Sequence, residues 1–292
     1  MNGILVIDKP TGITSRDVVN EVGKILGTKK VGHTGTLDPL ATGVLVLCVG
    51  EATRLVDLIV ASEKEYVAEV VLGLHTDTLD ITGEVLEKQD VLVSQDEVID
   101  VLNSMKGSYL QEVPIYSAVK VNGKKLYEYA RSGKEVALPK REVTIFDISL
   151  VDDLHIIDGM IHFSFRCTVS KGTYIRSLIR DIADHLGTVG VMAGLRRVRQ
   201  GDYSLDQAFC LEDIHLQTFS MLPMKSAFSH YEIIEVDDYL KAKILNGRIL
   251  DHRYDNDVVV FVDQLGNVLA LYQKYDKDES KMKPWKVFSK LF

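Results

Sequence analysis

The sequence predicts an α+β protein: a mixed, mainly antiparallel central sheet flanked by helices, with a small β-rich module at the C-terminal end. Three observations carry this. Residues 143–151 and 160–170 alternate apolar and polar side chains and flank a turn at Asp158-Gly159, as a hairpin in an antiparallel or mixed sheet would. Apolar stripes at helical spacing separate the strand-like runs, at 16–26 and up to Leu186. Past Pro223 the character changes to a short helix and a hairpin, about 60 residues that would be marginal alone.

In order, residues 4–7 form a short buried strand closed by Asp8-Lys9-Pro10-Thr11-Gly12. Ser15 caps a helix over 16–26 whose apolar face is Val18, Val19, Val22, Ile25 and Leu26, with Gly27 as its stop. The continuously apolar run 44–49 reads as a central strand, and 52–60 as a helix. The strand over 66–72 is expected to pair with 83–87 across a loop holding Asp77 and Asp80. That loop lacks the spacing and closing Glu of an EF-hand, so no metal is assigned to it. Ser94 and Glu97 make a capping box for a helix ending near Gly107. Asn122-Gly123 signals a tight hairpin turn or a loop, residues 126–132 are helical, and Lys140-Arg141 lie in a basic loop. Residues 115–141 thus form a basic excursion in which Lys and Arg alternate with Tyr, a pattern suited to phosphate contact with base stacking. The second strand of the 143–170 hairpin runs into Ser170-Lys171-Gly172-Thr173-Tyr174-Ile175-Arg176 and a helix whose buried stripe is Ile175, Leu178, Ile179, Ile182 and Leu186. Tyr174 and Arg176 fall at its first turn, where free backbone N–H groups favour anions. Residues 191–198 are strand-like and contain Leu195-Arg196-Arg197. The C-terminal module comprises a helix over 236–245, a hairpin of 258–262 with 268–272, and a strand at 285–288.

The 292 residues suit one large domain plus a small one, or two medium ones, and an apolar fraction of 46% supports a substantial core. No apolar run reaches membrane-spanning length and the first residues carry no basic leader, so a cytoplasmic protein is expected. Cys48, Cys167 and Cys210 lie far apart with no zinc spacing, as reduced thiols would. A net charge of −8 argues against a nucleic-acid partner for the molecule as a whole. The cations nevertheless cluster, at 120–141, at 166–199, and at Lys274, Lys277, Lys281, Lys283, Lys286 and Lys290. Such patches bind phosphate even on an acidic protein.

The densest stretch is Gly32-His33-Thr34-Gly35-Thr36-Leu37-Asp38-Pro39-Leu40-Ala41-Thr42-Gly43. Its three glycines allow unusual backbone angles, and Asp38 is its one carboxylate. Asp38 reads either as half of an Asp-Pro turn or as a carboxylate presented as nucleophile or base. The chain has no Walker loop, no dinucleotide fingerprint, no nucleophile elbow and no metal-ligand cluster. What remains suits cofactor-free chemistry on a nucleic acid.

Residues 32–43 resemble the catalytic motif of the TruB family of tRNA pseudouridine synthases. Five further stretches resemble that family's motifs in the same order: Gly3 to Pro10, Lys64-Glu65-Tyr66, Pro114 to Lys120, Lys171 to Arg176, and Leu195-Arg196-Arg197. The resemblance covers roughly residues 1–210. It implies a pseudouridine synthase fold over 1–225, with 115–141 gripping the T-arm of tRNA, and by position a PUA-like RNA-binding module over 231–292. It implies isomerisation of uridine 55 in the T-loop, by base flipping and without cofactor or metal. Asp38 corresponds to the nucleophile, Tyr66 to the residue that stacks on the target base, and Arg176 to the ionic partner of the aspartate. Tyr174 and Leu195 would line the pocket, His33 would hold the flipped RNA, and Lys9 and Lys120 complete the substrate-binding set. These roles are physically coherent. Flipping costs a few kcal/mol, an aromatic face recovers about 1–3 kcal/mol, and a guanidinium favours an ionised carboxylate. The absence of long lysine-rich extensions points to a stand-alone monomer with no guide RNA or obligate protein partner. The competing reading is an RNA-binding or tRNA-folding module; Asp38, Tyr66 and Arg176 together favour the enzyme.

Overall fold

The computed structural model of the protein describes residues 1–288, so Lys290 lies outside the described residues. The chain opens with β1 (Gly3–Lys9), α1 (Ser15–Ile25), and a hairpin of β2 (Val31–His33) with β3 (Thr42–Val49) around the Gly-rich loop. A 3-10 helix, Gly50–Leu55, and the short α2 (Val56–Val60) stand where one helix over 52–60 is expected. The Thr53 hydroxyl donates to the Gly50 carbonyl at 2.7 Å, which favours the tighter turn. Then come β4 (Lys64–Leu72), β5 (Leu74–Thr76), β6 (Val85–Lys88), α3 (Gln95–Ser104) and β7 (Gly107–Glu112). The basic excursion contains β8 (Lys120–Val121), β9 (Lys124–Lys125) and α4 (Leu126–Arg131). It is followed by β10 (Lys140–Leu150), β11 (His155–Ile157), β12 (Met160–Val169), α5 (Ile175–His185) and β13 (Gly190–Gln200). The remainder is β14 (Tyr203–Ser204), α6 (Leu211–His215), β15 (Glu232–Glu235), α7 (Asp238–Leu245), β16 (Leu250–Asp251), β17 (Val258–Val262), β18 (Val268–Tyr275) and β19 (Asp278–Val287). Among the described residues no helix is long and apolar enough to cross a membrane.

The chain divides into two compact units. One comprises residues 40–43 and 61–201. Its sheet runs β13-β4-β12-β10-β7, antiparallel at every step. Thr42 and Gly43 add a parallel pairing to Arg196 and Arg197, which makes the sheet mixed. Central β4 pairs with both β12 and β13, and the expected partner, the stretch around 83–87, pairs instead with β5. The burial explains this. Four residues of β6 are all exposed, whereas β4 buries Lys64, Tyr66, Ala68, Val70, Val71 and Leu72 and needs a long neighbour on each side. β7, unforeseen because Gly107 to Glu112 do not alternate, is the terminal strand of this sheet with Leu110 exposed. Lys140 and Arg141, expected in a loop, begin β10 opposite Glu112 and Gln111. Asn122-Gly123 and Asp158-Gly159 both adopt positive φ at both positions, as two-residue hairpin turns require. The second of these joins β11 to β12.

The other unit comprises residues 1–39, 44–60 and 202 onward. Here β1 lies beside the apolar run of β3. Residues 232–287 build a five-stranded sheet in the order β15-β17-β18-β19-β16, with β15 parallel to β17. One apolar cluster combines Ile4, Val6, Val44 and Val46 with Val260, Val262, Leu271 and Phe288. A second cluster, around Phe261, Tyr272 and Met282, lies within the C-terminal residues themselves. Cys48 and Cys167 are buried thiols, and burial pushes Cys48 up to about 12; Cys210 is exposed.

Candidate active site

The loop bearing Asp38 is held on both sides of the carboxylate by main-chain bonds. Thr34 is fully buried, and its N–H and hydroxyl both donate to the Val46 carbonyl, at 3.0 and 3.2 Å. Leu37 is buried, and its backbone is bridged by one hydroxyl: Ser15 Oγ donates to its carbonyl at 3.1 Å and accepts from its N–H at 2.8 Å. The Pro39 carbonyl accepts from the Gly12 N–H at 2.8 Å and from Lys9 Nζ at 3.4 Å. Lys9, wholly buried at the end of β1, also donates to the Pro10 carbonyl at 2.7 Å. Asp38 itself is half-buried, as is His33 at the end of β2.

Ser15 does not cap α1, as its position suggests. Thr14 is the cap: its hydroxyl accepts from the Asp17 N–H and the Asp17 carboxylate accepts from the Thr14 N–H. This capping box frees Ser15 for the loop. At the exit, Gly43 sits at φ +96°, and a Cβ there would lie 2.2 Å from the Arg197 carbonyl oxygen. Only glycine permits that approach.

In the other unit, Tyr66 is buried on β4, directly opposite Cys167 on β12 and Arg197 on β13. Leu195 is opposite Ala68, two residues along, so Tyr66 and Leu195 occupy one face of adjoining strands. Thr42 Oγ1 donates to the Leu195 carbonyl at 3.4 Å. Charge is sorted along this stretch of β4. Lys64 is buried, and burial, then Arg197 and Lys171, lower its pKa to about 8. Glu65, on the opposite face, accepts from Arg166 at 2.6 Å and Arg199 at 3.0 Å. Burial alone would raise Glu65, but these two guanidiniums outweigh it and hold it low.

Tyr174 caps α5 and is half-buried; Arg176 in the first turn is 6% exposed. The resemblance implies Asp38 as the ionic partner of Arg176. Within its own unit Arg176 donates to the Thr78 carbonyl at 2.9 Å and the Tyr116 carbonyl at 3.0 Å, with the Asp80 carboxylate 3.9 Å away. It thereby braces two segments, 76–83 and 114–120. The first is also ordered from within, since Asp80 Oδ1 accepts from the Thr78 hydroxyl, the Thr82 N–H and the Thr82 hydroxyl. Tyr116 ties the two together, its hydroxyl donating to Asp77 at 2.8 Å. Lys120 is exposed in the small hairpin of β8 and β9.

The sequence-derived residues therefore fall into three groups. Lys9 reaches the loop one residue past Asp38, at the Pro39 carbonyl, with His33 at the loop's entry. Tyr66 with Leu195, and Tyr174 with Arg176, sit in the second unit; Lys120 stands apart on its hairpin. Ser15 and Asp80 were missed as site supports. The Thr14-x-x-Asp17 pattern was a signal for the first, and the run Thr76 to Thr82 was a signal for the second. Among the described residues no group of His, Cys, Asp and Glu could hold a metal ion.

Comparison with known proteins bears directly on these motifs. Residues 23–175 match the family model described as TruB family pseudouridylate synthase (N terminal domain). Residues 176–228 match that of the tRNA pseudouridylate synthase B C-terminal domain. The tRNA pseudouridine synthase B of Bacillus subtilis (strain 168) is 42% identical over 301 residues, covering 98% of this chain and 97% of the relative. That of Staphylococcus aureus (strain MSSA476) is also 42% identical, covering 99% of each. Among solved structures, an H/ACA RNP bound to a substrate RNA containing 2'-deoxyuridine superposes with a TM-score of 0.71 at 26% identity, covering 98% of this chain and 84% of that one. A Cbf5-Nop10-Gar1 complex gives 0.70 at 27% identity, covering 98% and 83%. With both family models matching in tandem and full-length relatives above 40% identity, the chain belongs to the TruB family of pseudouridylate synthases.

Proposed function

We propose that this protein isomerises uridine 55 in the T-loop of tRNA to pseudouridine, with Asp38 as the nucleophile and no cofactor. The observation that carries the reading is the complete motif 32–43, whose backbone is anchored at Thr34, Leu37 and Pro39 so that one carboxylate stands on a fixed loop. Fixing a nucleophile before substrate arrives removes reorganisation from the chemical step. The names of the relatives support tRNA as substrate. The reaction breaks the N-glycosidic bond, turns the base and rejoins it through C5. A stacked loop base must first be extruded. In this reading Tyr66 stacks on it, Tyr174 and Leu195 line its pocket, and Arg176, His33, Lys9 and Lys120 hold the RNA. The basic excursion 115–141 grips the T-arm and residues 231–292 contact the acceptor end, acting with the catalytic region 1–225 in a cytoplasmic monomer that needs neither guide RNA nor protein partner.

The test is incubation with an unmodified tRNA transcript, followed by mapping of pseudouridine. Product at the T-loop uridine, abolished in Asp38→Asn while tRNA binding is kept, is the expected result. Binding and refolding of tRNA without any product would instead favour an RNA-folding module. Affinity should fall steeply with salt, because phosphate contacts release counterions.

A further inference from the structure

We propose that Gln111 is a positioning residue for the reaction, setting the start of α5 and with it Tyr174 and Arg176. This deepens the function proposed above and rests on it. Gln111 lies on β7 and is 1% exposed. Its Oε1 accepts from the backbone N–H of Tyr174 at 2.7 Å. Its Nε2 donates to the Tyr109 hydroxyl at 2.8 Å, and that hydroxyl donates to Asp181 Oδ2 at 3.0 Å. Asp181 Oδ1 is held in turn by Arg180, at 2.8 and 3.1 Å.

The direction of this relay is fixed at one end. A backbone N–H can only donate, so the amide must turn its oxygen to Tyr174 and its nitrogen to Tyr109. Having accepted the amide's hydrogen bond, the phenol donates its own O–H to the carboxylate. Burial first, and the Asp181 charge second, push Tyr109 well up, so it keeps its proton across the working range. Donors in series polarise one another, and this series ends on an anion held by a guanidinium.

The relay ends at a functionally exposed point. Tyr174 caps α5 without any side-chain cap of its own, and Arg176 follows two residues later. Adjacent Glu112 adds two more ties, its carbonyl accepting from Ser177 Oγ at 2.8 Å and its carboxylate from Arg180 at 3.0 Å. These ties would keep α5 on β7 without Gln111. What Gln111 adds is a hold on the peptide N–H that precedes the Tyr174 ring. A residue acting this way governs the chemical step more than substrate affinity, because small misplacement costs rate steeply.

The experiment compares wild type with Gln111→Leu, Gln111→Glu and Tyr109→Phe in the full chain. For Gln111→Leu, single-turnover pseudouridine formation should fall about 10-fold or more, with the Kd for tRNA within about twofold. Hydrogen exchange at the Tyr174 amide should rise while the rest of α5 stays protected. Gln111→Glu keeps an acceptor for Tyr174 but loses the donor to Tyr109, so its turnover should lie between those of Gln111→Leu and wild type. Tyr109→Phe should fall between, and combining it with Gln111→Leu should add no further loss, since the relay acts through the amide. An unchanged rate in folded Gln111→Leu, an equal loss in affinity, or multiplying losses in the double variant would overturn the proposal. The exchange result separates the two readings. If wild type makes no pseudouridine while Tyr174 exchange still responds to Gln111→Leu, the functional reading fails and the positioning contact stands. No response in exchange overturns the contact itself. Should Gln111→Leu not fold, Gln111→Glu decides, and a loss beyond tenfold at unchanged Kd would overturn the assignment.

Discussion

The loop that carries Asp38 and the start of α5 are held by opposite means. Around Asp38 most anchors are backbone atoms of Thr34, Leu37 and Pro39, joined by the Thr34 hydroxyl, while the side chains of Ser15 and Lys9 reach in from outside the loop. At α5 the anchors are long side chains: Arg176 grips two carbonyls and Gln111 holds an N–H. Main-chain anchoring lets the loop keep Thr36 and Pro39 exposed. Side-chain anchoring makes the helix start depend on residues of one particular reach. Apart from Gly43 and Thr34, the first region should therefore tolerate change within itself and fail when its supports change, and the second should fail directly.

Gly43→Ala should have the largest effect on stability. At φ +96° with a carbonyl 2.2 Å from the new Cβ, the cost should be about 3 kcal/mol or more, read by urea unfolding. A loss below about 1 kcal/mol would show that the loop's exit is not pinned by its backbone. Arg176→Ala comes next. It takes the donor from two carbonyls and the neighbouring guanidinium from the buried Asp80, at a cost of about 3 kcal/mol, and turnover should fall far more than tRNA binding. Equal losses in turnover and binding would argue against an electrostatic role in the reaction. Ser15→Ala should cost about 1–2 kcal/mol and slow turnover at unchanged tRNA affinity, because the Leu37 N–H and carbonyl lose their shared partner. If turnover is unaffected, the other anchors, at Thr34 and Pro39, suffice to hold the loop.

The smallest effect is a pH-dependent one. Asp17, in the capping box beside Ser15, is held below the usual 3.8 by hydrogen bonds from the Thr14 side chain and backbone. A lowered carboxylate pKa stabilises the fold above 3.8, and that contribution is lost as pH falls through the folded value. Asp17→Asn should therefore lower Tm at pH 7 by a small margin that shrinks as the pH drops below 3.8. A margin independent of pH would mean the carboxylate charge contributes nothing.

The central strands and the α1 and α5 stripes were legible because burial imposes a period on the sequence. The α3 capping box was legible for a local reason, with Ser94 and Glu97 three residues apart. What stayed hidden depends on distant partners. Leu195 and Tyr66 share a face only because β13 and β4 pair in the register that sets Leu195 against Ala68, and no local pattern encodes that register. Asp80 was weighed only as a metal ligand, and dismissed, because its neighbour Arg176 lies 96 residues away. Ser15 was assigned the nearest duty available, a helix cap, while its partner is Leu37. β7 escaped notice because an edge strand with exposed residues has no reason to alternate.

The two units are also assembled differently along the chain. One is nearly continuous, residues 61–201 plus four others, whereas the unit with Asp38 joins residues 1–39 and 44–60 to those from 202 onward. During synthesis Ile4, Val6, Val44 and Val46 emerge early, but Val260, Val262, Leu271 and Phe288, which complete their cluster, emerge more than 200 residues after β3 begins. The continuous unit can fold while the ribosome is still working. The unit that contains the Asp38 loop completes its apolar cluster only with the C-terminal sheet, so a chain stopped near residue 225 would carry every motif residue and an unfinished core.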